Sequence, residues 1–85
     1  MVEGKLNVDG VIGEVLGEYA RATEIFGPML NAHHGFGILK EEVDELWDEV
    51  KRHNPNQLEA AKLRMRREAV QVAAMAIRFI IDVTG

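Results

Sequence analysis

The feature that most constrains this chain is the helical periodicity of residues 36–52, FGILKEEVDELWDEVKR. At about 100° per residue, the apolar side chains fall on one stripe and most of the charged ones point away from it. The stripe consists of Phe36, Leu39, Val43, Leu46, Trp47 and Val50. The pattern predicts an amphipathic helix whose apolar stripe, including Phe36 and Trp47, packs into a core.

The same helix carries a row of carboxylates along one flank, at Glu42, Glu45 and Glu49. Such a row repels itself unless a cation neutralises it, and converging carboxylates favour hard divalent ions such as Mg²⁺. The alternative is an ordinary solvated acidic face, because glutamate-rich surface helices are common. Spacing alone leaves both interpretations open.

Composition limits the classes of protein to consider. The chain has 85 residues, of which 47% are hydrophobic and 28% charged, so we expect one globular domain. The formal net charge of −4 argues against a general binder of nucleic-acid polymers. One local cluster is nevertheless basic and suits a small phosphorylated ligand, and it comprises Lys62, Arg64, Arg66 and Arg67.

The absence of cysteine excludes disulfides, thiolate zinc sites and cysteine nucleophiles. The first residues lack the pattern of a signal peptide, and Gln71, Arg78 and Asp82 interrupt the most apolar segment. We therefore expect a cytoplasmic protein with no membrane association.

Residues 1–10 show little periodicity and are predicted to be a flexible lead-in to a helical domain at residues 11–85. Residues 11–26 have helical spacing, with Asp9 as the expected N-cap. Gly13 and Gly17 weaken this helix and indicate a close backbone approach.

A loop is predicted at residues 28–37, because Gly27 and Pro28 end the first helix. It contains His33 and His34, which are either metal ligands or solvated, hydrogen-bonding side chains.

A third helix is predicted from Asn54 and Pro55 to about Thr84, with a kink or break before Leu63 as one option. Residues 69–83 are apolar nearly all the way round, apart from a narrow polar stripe. Two other helices cannot cover such a segment, so the sequence predicts homo-oligomerisation. The stripe consists of Arg64, Glu68, Gln71, Arg78 and Asp82.

Three stretches together resemble the MazG-like branch of the all-α nucleoside triphosphate pyrophosphohydrolases: EYARATEIFGP, NAHHGFGILKEEVDELWDEVKR and RREAVQVAAMAIRFI. The resemblance covers residues 18–81. That family carries a Glu-x-x-Glu pair on one helix and a Glu-x-x-Asp pair on a later one. Here the first pair is Glu42 and Glu45, whereas the second is Glu68 followed by Gln71, an amide in place of the last acid.

The resemblance implies an all-α fold of three to four helices, completed as a helical bundle in a homodimer or homotetramer. It implies Mg²⁺, or Mn²⁺ as a substitute, held near Glu42, Glu45, Glu68 and Gln71. Glu41 and Glu45 are the expected catalytic residues. The phosphates and base of a nucleoside triphosphate are expected to meet Lys51, Arg64, Arg67 and Trp47.

The implied function is Mg²⁺-dependent hydrolysis of a nucleoside triphosphate to the monophosphate and pyrophosphate, as a house-cleaning enzyme for (deoxy)nucleotides. Gln71 favours an alternative, a non-catalytic member that binds nucleotides or acts as an assembly module. A plain structural bundle remains a third reading.

Overall fold

The computed structural model describes residues 6–52 and 54–85, which form three long helices. These are α1 (Val8–Phe26), α2 (Ala32–Lys51) and α3 (Leu58–Phe79). A 3₁₀ turn at Pro55–Gln57 precedes α3, and a π-helical turn at Ile80–Thr84 continues it. The described residues contain no strand, so the predicted all-α class is confirmed, and none of their helices is long and apolar enough to cross a membrane.

The helix starts differ from the prediction because asparagine side chains cap them. Asn7 Oδ1 accepts a hydrogen bond from Gly10 N at 2.8 Å, so α1 begins at Val8 and Asp9 lies in its first turn. The N-cap predicted at Asp9 was therefore wrong. Residues 1–5 of the predicted lead-in lie outside the described part of the chain.

The connection between α1 and α2 is shorter than the loop predicted at residues 28–37. Asn31 Oδ1 accepts from His34 N at 2.8 Å, which starts α2 at Ala32 and places His33 and His34 in its first turn. Gly27, with φ 68°, ends α1 and donates its N–H to Thr23 O at 3.1 Å. The helical stretch here includes the HHGFG segment because a side-chain cap outweighs the weak helix propensity of its glycines.

Helix α3 is the central element and packs against both α1 and α2. It is continuous through Leu63, so the kink or break that the sequence analysis allowed before this residue is not present. The buried core joins α1, α3 and the α1–α2 connection through Val15, Ala22, Met29, Ala74 and Met75, and α2 packs against it with the partly buried Ile38 and Leu39. Val70, Ala73 and Ile77 are partly buried against that core, so the protomer covers more of α3 than the sequence suggested.

Two polar residues near the C-terminal end of the chain, Arg78 in α3 and Asp82 in the π-helical turn, form hydrogen bonds with the α1–α2 connection. Asp82 Oδ2 accepts from Met29 N at 2.9 Å, and Arg78 Nη2 donates to Gly27 O. Backbone groups of a short connection need such partners when they are partly buried. These two residues of the polar stripe thus contact the rest of the protomer, and Arg78 is buried there.

The orientation of α2 contradicts the expected core packing of Phe36 and Trp47. These two side chains are 58% and 56% exposed, and Val43 and Val50 are exposed beside them. We call Phe36, Val43, Trp47 and Val50 the outer stripe. The face that meets the rest of the protomer instead carries Gly35, Ile38, Leu39, Glu42, Leu46 and Glu49, all buried or half-buried.

A glycine contact explains part of this orientation. A Cβ atom on Gly35 would lie 2.8 Å from Phe79 Cδ2 and 3.0 Å from Met29 Sδ, so only glycine allows this approach of α2 to α3. The close approach predicted at Gly13 and Gly17 is absent, because nothing in the described residues lies within 4 Å of a Cβ placed there.

Candidate metal centre

The candidate site lies between α2 and α3, which run antiparallel with a regular register. Gly35 meets Phe79 near one end, Glu45 lies with Glu68 in the middle, and Glu49 meets Arg64 one turn further on. Each step of four residues along α2 is matched by a step of about four backwards along α3. The acidic flank of α2 therefore faces the polar stripe of α3.

Glu42, Glu45 and Glu68 form what we call the acidic cluster. Each offers one carboxylate oxygen, and these oxygens lie within 4.8 Å of one another. Glu42 Oε2 and Glu68 Oε2 are buried without a hydrogen-bond partner among the described residues. A buried oxygen left without a donor is costly, so the cluster has capacity for a cation that the described side chains do not supply.

The electrostatics of the cluster show the same deficit of positive charge. Burial raises the pKa of Glu42 to about 7, helped by a hydrogen bond to Glu45 and by the charges of Glu45, Glu68 and Glu18. Burial also raises the pKa of Glu68, and Glu45 adds to the shift. Like charges held near each other in a partly desolvated site disfavour ionisation of all of them.

One turn away, the same row on α2 is neutralised by arginines. Glu49 Oε1 accepts from Arg64 Nε at 3.0 Å, and Glu49 Oε2 lies 3.4 Å from Arg52 Nη1. The Glu49 side chain is only 16% exposed. Glu49, which the sequence placed on the acidic flank, is thus held in an ion pair, and so is Arg64, which was expected to bind phosphate.

A cavity of about 410 Å³ opens beside the cluster, between all three helices. Glu41, Glu42 and Gln71 line it, so Gln71 shares a cavity with one residue of the acidic cluster. A second cleft, of about 460 Å³, lies between α1 and α3, where Glu14, Arg66 and Arg67 line it together with Glu18 and Gln71, which line both cavities. We regard the first as the site, because it contains a residue of the acidic cluster.

Sequence reasoning missed Glu18 on α1. Its side chain is 16% exposed, faces the same cavity and is near enough to Glu42 to raise the pKa of that carboxyl. Arg21 holds it through two hydrogen bonds, at 2.9 and 2.6 Å. The sequence could have indicated Glu18, because it lies four residues before Ala22 and therefore on the same, buried face of α1.

Lys51, Trp47 and Arg67, the other expected contacts to substrate, are not among the residues that line the cavity beside the cluster. Lys51 pairs with Asp48 at 3.4 Å and lies 5.7 Å from the centre of the Trp47 ring, on the exposed side of α2. Arg67 is exposed and lines the cleft between α1 and α3. His34 Nδ1 accepts from Leu30 N at 2.9 Å, which is a structural use of the histidine, and His33 is exposed.

The donor set fits a hard divalent cation. Mg²⁺ and Mn²⁺ prefer oxygen ligands, and Mg²⁺ usually combines a few carboxylates with water and substrate phosphates. Three converging carboxylates, two of them with an oxygen that has no partner in the described part of the chain, meet that requirement. Gln71, as a neighbour, offers a neutral oxygen as well as N–H donors.

Comparisons of the chain with models of protein families, with curated proteins and with solved structures found no match in any of the three. The MazG-like resemblance therefore stays a prediction from the sequence motifs. The candidate site is defined by the geometry described above.

Proposed function

We propose that this protein is a MazG-like, Mg²⁺-dependent pyrophosphohydrolase that converts a nucleoside triphosphate into the monophosphate and pyrophosphate. The observation that carries the proposal is the acidic cluster, in which Glu42, Glu45 and Glu68 converge and form no salt bridge with a described residue. The type of reaction is inferred from the resemblance of the sequence motifs, and the position of the partly buried cluster beside a cavity supports the proposal. Mg²⁺ bound there would neutralise phosphate oxygens and orient a water molecule.

The residues of the chain then have distinct tasks. Glu42, Glu45 and Glu68 would hold the ion, with Glu45 also close to the reacting groups. The oxygen of water attacks the α-phosphorus, the bond from that phosphorus to the bridging oxygen breaks, and pyrophosphate leaves. Glu41 is exposed and lines the cavity, and in this proposal it would take the proton that the attacking water loses.

A second candidate function rests on Gln71, which lines the cavity where the family has an acid. With one anionic ligand fewer, the protein would bind nucleotide and metal without hydrolysis and act as a binding or assembly module. The two candidates differ in turnover and share the site.

Pyrophosphate release from a panel of standard and modified nucleoside triphosphates, measured with and without Mg²⁺, tests the proposal. We expect Mg²⁺-dependent release from at least one member, with the monophosphate as the other product. Nucleotide binding without release from any member would favour the second candidate. Neither binding nor release would contradict both.

Assembly into a homodimer or homotetramer is the other part of the proposal. The outer stripe exposes four large apolar side chains on one face of α2. The charged residues around it are two lysines and two aspartates, Lys40, Lys51, Asp44 and Asp48, so two identical faces would meet without net repulsion. A second copy of the chain is the occupant that this balance favours.

Light scattering at low micromolar concentration should therefore give the mass of a dimer or tetramer. Val43→Glu, in the centre of the outer stripe, should shift the population to monomer because it places a charge in the apolar contact. Asp48→Glu, at the charged edge, is the matched control and should not. A folded wild-type monomer at that concentration would contradict the assembly.

A further inference from the structure

The connection between α1 and α2 is held by side-chain acceptors that the proposed function does not use. Asp82 Oδ2 accepts a hydrogen bond from Met29 N at 2.9 Å. The next amide, Leu30 N, donates to His34 Nδ1, also at 2.9 Å. An imidazole is the side chain that ordinarily gains a proton between pH 5 and pH 8, so the second of these bonds depends on pH in that range.

The bond to His34 is half of a reciprocal cap at the start of α2. Asn31 is the N-cap, and its Oδ1 accepts from His34 N at 2.8 Å, while the His34 ring accepts from Leu30 N. In the usual capping box the third helical residue is Glu or Gln, whose side chain accepts from a backbone N–H. Here an imidazole has that position, so the cap requires a neutral ring with its proton on Nε2.

Protonation of the ring opposes this cap in two ways. A protonated imidazole carries an N–H on both nitrogens, so Nδ1 would meet the N–H of Leu30 with a second donor. It would also place a positive charge in the first turn of α2, where the backbone dipole disfavours cations. The unfolded chain accepts the same proton without losing a bond, so the stability that the cap contributes falls as pH falls.

The charged groups around His34 come from every neighbouring element. They are Glu18 and Arg21 on α1, Glu41 and Glu42 on α2, Arg78 on α3 and Asp82 in the π-helical turn. Arg21 and Glu18 are bonded to each other at 2.9 and 2.6 Å, and Arg78 and Asp82 have opposite charges. Glu41 and Glu42 lie about 10 to 12 Å further along α2, near the screening length of about 10 Å at 0.1 M salt. The loss of the hydrogen bond therefore decides the effect of protonation.

We propose that His34 is a pH-sensitive cap, which holds the α1–α2 connection closed when the ring is neutral and releases it when the ring is protonated. Met29 in this connection is only 3% exposed, and its Sδ lies against Gly35. Phe26 and His34 border the cavity of about 410 Å³ at the same end, so release opens the cavity there. The inference is independent of the proposed function, because it concerns the connection and not the acidic cluster.

NMR of the metal-free full chain between pH 8 and pH 5 tests this inference. At pH 8 the ring nitrogens of His34 should show a proton on Nε2 and an acceptor at Nδ1. As pH falls, the Leu30 amide should shift with the same midpoint as the His34 ring. Its protection against hydrogen exchange, corrected for the intrinsic effect of pH, should fall about fivefold or more. A proton on Nδ1 at pH 8, or a Leu30 amide that does not follow the ring, would overturn the inference.

His34→Gln keeps a side-chain acceptor at the third helical position but cannot titrate, so the protection of Leu30 should stay within about twofold over this range. His33→Gln is the matched control, because His33 is the adjacent, exposed histidine, and it should keep the wild-type fall. The wild-type fall in His34→Gln would assign the effect to another group and overturn the inference. If this variant does not fold, as circular dichroism would show, the wild-type tautomer and midpoints still decide.

Glu42→Gln separates the cap from the acidic cluster, which also titrates in this range. The variant should keep the fall in protection at Leu30, because Glu42 lies eight residues further along α2. Loss of that fall would show that the acidic cluster controls the connection, and the inference would be wrong.

Discussion

The row of glutamates on α2 has two different environments at two neighbouring levels of the α2–α3 contact, one turn of helix apart. At the first level, Glu42 and Glu45 meet Glu68, and the three carboxylates lie within 4.8 Å with no cation among the described residues. At the second, one turn away, Glu49 meets Arg64 at 3.0 Å. The residue opposite on α3 therefore decides whether a glutamate on α2 becomes part of an ion pair or of a candidate metal site.

The comparison teaches that the acidic flank of α2 is not one functional unit. Glu49 is compensated within the protein, so its charge stabilises the contact between the helices. The acidic cluster is uncompensated, so in the absence of a cation it opposes that contact. Variants at each level should therefore differ both in the kind of effect and in its sign.

The largest difference should appear in hydrolysis. Glu45→Ala and Glu68→Ala should each lower the rate of pyrophosphate release about tenfold or more at subsaturating Mg²⁺, because each removes a proposed ligand. Glu49→Ala, the matched change at the neighbouring level, should have a clearly smaller effect. Wild-type rates in both cluster variants would show that the site is wrongly assigned.

The second difference concerns pH. Glu42 has its pKa raised from 4.5 to about 7 in the folded protein, so between these values the folded state binds more protons than the unfolded state. The free energy of unfolding contributed by Glu42 must therefore fall as pH rises from about 4.5 through 7, and the raised pKa of Glu68 acts in the same direction.

Thermal unfolding of the metal-free protein at several pH values measures how the stability contributed by Glu42 depends on pH. The melting temperature of wild type relative to Glu42→Gln should fall between pH 5 and pH 8, since glutamine cannot titrate. Mn²⁺ added at pH 8 should raise the wild-type melting temperature more than that of the variant. A relative melting temperature that rises with pH would contradict the uncompensated cluster.

A smaller effect, on stability, is expected at the second level. Arg64→Ala removes a half-buried partner of Glu49 and should lower the free energy of unfolding by about 1 kcal/mol, measured by urea denaturation. Lys62→Ala is the control, because Lys62 lies 3.7 Å from the exposed Glu59 and should change little. Equal effects of the two changes would mean that the Glu49–Arg64 pair contributes no more than a surface contact.

The smallest effect is expected at Gln71, at the edge of the acidic cluster. Gln71→Asp introduces an acid where the MazG-like pattern has one and should strengthen Mn²⁺ binding about threefold or more, with hydrolysis retained or improved. Calorimetric titration of Mn²⁺ into wild type and variant measures it. Unchanged affinity with a lower melting temperature would instead assign Gln71 a structural hydrogen bond across the helices.

Local features of the sequence were enough for the helices themselves. The periodicity of α2 and the stop at Gly27 and Pro28 predicted elements that the structure contains, as did the start near Asn54. The errors at the ends came from side-chain caps at Asn7 and Asn31, because a cap competes with propensity over a single turn and its partner cannot be read from periodicity. The convergence of Glu42, Glu45 and Glu68 followed from motif resemblance, with periodicity supplying only the row on α2.

Which face of each helix is covered was decided by the tertiary structure. Hydrophobic periodicity identifies an apolar face but does not say what covers it, so Phe36 and Trp47 were placed in a core that the protomer does not provide. The contact of Gly35 with Phe79 and the burial of Arg78 depend on residues more than 40 positions apart in the chain. The sequence by itself determined an all-α chain with a row of carboxylates on α2, because helix formation depends on residues that are close together in the chain. The pairing of that row with Glu68 and Arg64 was decided by the packing of α2 on α3, because packing depends on residues that are far apart in the chain.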